Sequence, residues 1–108
     1  MSPEKVCAFV PDLMDRSRIR AARADVVFTE DPGACTDAAV VVVDLQRRAS
    51  VVASVRAAAP FAYIVGFLPH VEHRRDPATG PEGVDTVLPR SRFFRDVGAA
   101  IAPPAAGT

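Results

Sequence analysis

The stretch Ala38-Ala-Val-Val-Val-Val-Asp-Leu45 decides the fold: four consecutive valines followed by an acid. A run without polar alternation describes a strand buried on both faces, as in the centre of a parallel sheet covered by helices on each side. In open α/β sheets the carboxyl ends of the strands are where sites collect, and Asp44 stands at that end.

Working outward, Lys5 to Val10 is a short apolar run ending at Pro11-Asp12, and so reads as a first strand. Met14 to Arg23 is helical in pattern, with Met14, Ile19 and the alanines facing inward and Arg16, Arg20 and Arg23 facing water. Asp15 sits near the positive end of that helix. Val26 to Phe28 is a second strand, followed by a Pro/Gly-containing segment with room for only a short second helix before the central strand. Arg47 to Ala59 reads as one helix, with Val51, Val52, Val55, Ala58 and Ala59 on its apolar face, and Pro60 ends it. Phe61 to Phe67 is a fourth strand. Pro69 to Gly83 is irregular and holds a short, broken fourth helix around His70 to Arg75. Val84 to Leu88 is a fifth strand, Pro89 to Ser91 a turn, and Arg92 to Ile101 a last helix with Phe93, Phe94, Val97 and Ile101 on its apolar side. Five strands alternating with helices predict a parallel sheet with right-handed crossovers, hence a doubly wound three-layer α/β sandwich with shortened second and fourth helices.

The chain has 108 residues, suited to one core, and the expected organisation is a single domain over 1–102 with a disordered tail over 103–108. Thirteen basic and thirteen acidic side chains give a formal net charge of zero, so no overall charge draws the chain to nucleic acid or an anionic membrane. The longest apolar run is too short to span a bilayer and the start lacks the pattern of an export signal, so a cytoplasmic location is expected. Cys7 and Cys35 have no metal-ligand spacing and read as reduced, structural thiols.

In a parallel sheet the carboxyl ends of the first, third and fifth strands are neighbours, which brings Asp12, Asp44 and Arg90 together. An acid after the first strand, an Asp closing the third, a basic residue after the fifth and the lead Gly83-Val-Asp-Thr-Val-Leu-Pro-Arg90 resemble the receiver domains of bacterial two-component response regulators. Asp12-Leu-Met-Asp-Arg-Ser-Arg-Ile19 and Gly66-Phe-Leu-Pro-His-Val71 also look like phrases of small stand-alone receiver-like proteins. The resemblance implies a flavodoxin-like (CheY-like) sandwich with Asp44 at the phosphoacceptor position, Asp12 in the acidic pocket and Arg90 as its basic residue. A phosphorylatable member would also hold Mg²⁺ at Asp12 and Asp44.

Three departures distinguish this chain from such receivers. Pro11 stands where a second acid of the pair belongs, leaving Asp15 as a substitute. No Ser or Thr lies between Ser54 and Thr79, so Gly66, Phe67 or Leu68 replaces the hydroxyl that would follow the fourth strand. Arg90 replaces a lysine, and a planar guanidinium suits a bidentate grip on a carboxylate. Arg90 is therefore read as an ion-pair partner for these acids, with Asp44 its first candidate, since neighbouring carboxylates without a cation repel.

The expectation is a pseudo-receiver: a non-enzymatic domain working in signalling or regulation through protein–protein contact, as a homodimer or with a protein partner the sequence does not name, and needing no cofactor. The alternative is a single-domain response regulator phosphorylated on Asp44 with Mg²⁺. Phe93, Phe94 and His70 are candidates for an interaction surface. His70 and His73 stand three apart, but no further ligands complete a metal site. A flavin or nucleotide site would need a Gly- or Ser/Thr-rich loop opening onto a helix, whereas Pro11-Asp-Leu-Met-Asp15 presents carboxylates that repel phosphate.

Overall fold

The computed structural model describes residues 4–69 and 83–102. The central run becomes strand β3 (Val40–Asp44), all five of whose residues are buried. Parallel partners flank it: β1 (Val6–Phe9) pairs Phe9 with Val43, and β4 (Tyr63–Leu68) pairs Phe67 with Asp44. Outside these lie the short β2 (Val27–Phe28) and β5 (Thr86–Pro89), completing a five-stranded sheet of order β2-β1-β3-β4-β5. This is the doubly wound flavodoxin-like order, which places its switch point between β1 and β3.

Successive valines of β3 point to opposite faces and enter two separate cores. Val40 and Val42 join Val6, Ala8, Val65 and Phe67 beneath α1 (Leu13–Ala22), α4 (Arg90–Arg95) and α5 (Val97–Ala100), which contribute Ile19, Phe93 and Val97. Val41 and Val43 join Cys7, Phe9, Cys35 and Ile64 on the other face, covered by α2 (Leu45–Arg48) and α3 (Val52–Ala58), which contribute Leu45, Val52 and Val55. At about 1.5–3 kcal/mol for each fully buried Val or Ile, these strands supply much of the drive to fold.

The second helix is reduced to a 3-10 turn at Pro32–Cys35, capped by the Asp31 side chain on the Gly33 N–H. The expected short fourth helix, His70, His73 and the tail over 103–108 lie outside the described residues.

Several helix boundaries differ from the sequence reading, and capping aspartates set three of them, at Asp12, Asp44 and Asp96. Asp44 accepts from the Gln46 N–H, so a helix starts directly off the strand at Leu45. The expected helix 47–59 is broken after Arg48, where φ −132° and ψ 24° are not helical, and a 3-10 turn (Ala49–Val51) leads into α3. Asp96 (φ −149°, ψ 78°) interrupts the last helix and caps the Ala99 N–H, separating α4 from α5. Arg90 and Ser91 form the first turn of α4 instead of a loop. In α1, Met14 does not face inward: Leu13 and Met14 are 73% and 71% exposed, and the buried positions are Asp15 and Ile19. Capping by Asp12 fixes the start of α1, and residues 15 and 19, four apart, then share the face toward the sheet.

Arg56 joins α3 to the lead of β5, donating to the Gly83 carbonyl and to Asp85. Gly83 there has φ +102°, a conformation that favours glycine. Among the described residues no helix is long and apolar enough to cross a membrane.

Gly66 is a close-approach glycine, because a Cβ there would lie 2.4 Å from Leu45 Cδ1. Gly66→Ala is expected to destabilise the fold by about 1–3 kcal/mol in urea unfolding, and Leu45→Ala introduced with it is expected to cost less than the sum of the two single changes. Strict additivity would contradict this packing.

Candidate functional site

Asp12, Asp15, Asp44, Arg47 and Arg90 gather at the carboxyl edge of β1, β3 and β5. Asp12 is the N-cap of α1 and accepts from the Asp15 N–H at 3.0 Å. That backbone bond, with the Met14 N–H and the nearby Arg47 and Arg90 charges, holds its carboxyl below the ordinary value despite some desolvation. The capping contribution is therefore complete above about pH 4 and is lost as pH falls below 3.8 through the lowered folded value.

Asp15 is 2% exposed, and both of its oxygens are taken by one guanidinium. Arg90 Nη1 donates to Oδ2 at 2.7 Å and Nη2 to Oδ1 at 2.5 Å. The pair spans 75 positions of sequence and bolts the first turn of α1 to the first turn of α4. The Asp15 bond comes first among the causes that raise the already high pKa of Arg90, followed by the charges of Asp15, Asp44 and Asp12 against partial desolvation. Arg90 remains a permanent cation.

Asp44 is 1% exposed and equally committed. Its Oδ1 caps the Gln46 N–H at 3.1 Å and its Oδ2 accepts from Arg47 Nη1 at 3.0 Å. The expectation that Arg90 pairs with Asp44 is thus corrected. Arg90 starts a helix that points it toward α1, while Arg47, three residues after Asp44 on the helix that Asp44 caps, takes the Asp44 carboxylate. Three carboxylates against two guanidiniums leave the cluster with one net negative charge.

The position beside Asp44 is filled by Phe67, its register partner on β4. Phe67 packs on Phe93 and Phe94, with ring centroids 4.9 and 5.3 Å away, and the Arg90 guanidinium lies over the Phe67 and Phe94 rings at 5.6 and 4.9 Å. Phe93 is fully buried and so cannot form a docking surface, whereas Phe94 is half-buried. His70, the third candidate for that surface, lies outside the described residues.

Magnesium is held by carboxylate oxygens in near-ideal octahedral geometry and keeps several waters. Both oxygens of Asp15 and both of Asp44 already have donors, and among the described residues no group of three or more His, Cys, Asp or Glu is placed to hold a metal. The residues as arranged do not fit a magnesium ion, which would have to displace Arg90 or Arg47. Cys7 and Cys35 lie buried in the core on the opposite sheet face. Burial, then the neighbouring Cys7 thiol, pushes Cys35 up to about 12, so it stays protonated at neutral pH.

Sequence reasoning brought Asp12, Asp15, Asp44 and Arg90 to one edge and missed Arg47. The available signal was Asp44-Leu-Gln-Arg47, an N-cap acid with a basic residue three positions later. Comparison with protein-family models, with curated proteins and with solved structures finds no match for the chain.

Removing Arg90 would leave Asp15 buried without its counterion. Arg90→Ala is expected to cost about 3 kcal/mol, the low end for a broken buried pair because a third of Arg90 is open to water. The joint change Asp15→Leu with Arg90→Met is expected to restore most of that loss. Equal stability of Arg90→Ala and wild type in denaturant titration would contradict the pairing.

Proposed function

We propose that the protein is a degenerate receiver-like domain that acts in signalling or regulation through protein–protein contact, without catalytic turnover. The flavodoxin-like strand order and the acid closing the central strand support the kinship. The observation that carries the loss of phosphoryl chemistry is the bidentate hold of Arg90 on both oxygens of Asp15.

Phosphoryl transfer to a carboxylate needs a free attacking oxygen and cations ready to neutralise the incoming phosphoryl oxygens. Asp44 is buried and accepts from the Gln46 N–H and the Arg47 guanidinium, its strand neighbour Phe67 has no hydroxyl, and Arg90 is engaged with Asp15. A domain wired in this way holds one arrangement and works through its surface.

The second reading, a phosphoryl-accepting single-domain response regulator using Asp44 and Mg²⁺, rests on the convergence of Asp12, Asp15 and Asp44 at one strand edge. Amide NMR in the presence of Mg²⁺ with beryllofluoride or acetyl phosphate separates the two. No saturable shifts around Asp44 are expected; shifts there that vanish in Asp44→Asn would establish the second reading and defeat the first.

A further inference from the structure

On the far side of Arg90 from the acidic cluster lies an open groove of about 470 Å³, lined by Arg18, Pro69, Arg90, Ser91, Phe94 and Arg95. It draws on α1, the exit of β4 and the first turns of α4. Among the described residues no acidic side chain lines it, although the chain as a whole is neutral. The asymmetry continues along the flanking helices: α1 carries three arginines against one aspartate, and α4 three arginines and no acid, a formal charge of +5.

Two of the three groove arginines lie over an aromatic ring, and one of them, Arg90, is also fixed by an ion pair. Arg18 lies over the Phe94 ring at 5.5 Å, and Arg90 over the same ring at 4.9 Å while Asp15 grips two of its five N–H donors. Ordering a guanidinium in advance removes part of the entropy cost of using it in a contact. With both guanidiniums placed over Phe94, a flat ring has little room to stack there, and the groove offers N–H donors to oxyanions beside the apolar edges of Phe94 and Pro69. Arg18 and Arg95 form no ion pair among the described residues.

We propose that this groove docks an acidic segment of a partner protein, two carboxylate side chains meeting Arg18 and Arg95 and an intervening apolar side chain lying against Phe94 and Pro69. Charge complementarity argues for this occupant, and an open groove suits a peptide chain better than an enclosed small molecule. The proposal rests on the interaction-module reading and gives that module a partner chemistry.

The test is an NMR titration of the full chain with a pool of capped hexapeptides carrying Glu or Asp on both sides of Leu, Val or Ile. Lysine-for-acid counterparts, single-stranded DNA and phosphatidylserine vesicles serve as comparisons. Saturable shifts at Ser91, Phe94 and the Arg18 and Arg95 side chains are expected, weakening with added salt and weakened about tenfold in Arg18→Ala with Arg95→Ala, whose side chains are exposed. No saturation up to about 5 mM peptide, undiminished binding by the double variant, or tighter binding of DNA or vesicles would overturn the proposal. Failure of the peptides while Asp44 stays silent toward beryllofluoride removes the groove and leaves the module reading. Beryllofluoride shifts at Asp44 remove that reading whatever the peptides do.

Discussion

The pair between Asp15 and Arg90 is the interaction on which the carboxyl edge depends. A carboxylate taken from water without a partner costs several kcal/mol, more than the burial of Ile19 returns at about 1.5–3 kcal/mol. Without Arg90, α1 could not keep its present face on the sheet. With it, α1 docks through one isoleucine and one ion pair, and Leu13 and Met14 are left in water. The same guanidinium packs over Phe67 and Phe94, so one arginine joins the ends of β1 and β5, the aromatic cluster and the acidic cluster.

The architecture was legible because the β3 valines admit one environment. Unbroken β-branched residues demand cover on both faces, and the two cores built on Val40 and Val42, and on Val41 and Val43, supply it. The phase of α1 was not legible. Hydrophobic patterning sends Met14 inward, and only knowledge of Arg90, far along the chain, makes Asp15 the better buried residue. The helix break at Asp96 was hidden similarly, since an aspartate that caps a helix and one that faces solvent read alike in a sequence.

At the site, the sequence brought the acids to one edge but not their partners. Which arginine takes which carboxylate follows from where each helix starts. Asp44 caps its own helix and captures Arg47 from it, leaving Arg90 free to reach α1. The result is a carboxylate cluster neutralised to within one charge by side chains that cannot lose their protons, and it occupies the oxygens a divalent ion would need. Under the function proposed above, such an edge serves as a fixed surface, and the arginine groove beyond Arg90 belongs to it.

Arg90 takes both oxygens of Asp15, leaving neither for a metal ion. Arginine side-chain ¹⁵N NMR, recorded as Mg²⁺ is added, tests it most directly. Slowed rotation of the Arg90 guanidinium is expected, with its resonances and those of Arg47 unmoved by magnesium. Release of Arg90 accompanied by saturable shifts at Asp12, Asp15 and Asp44 would contradict it.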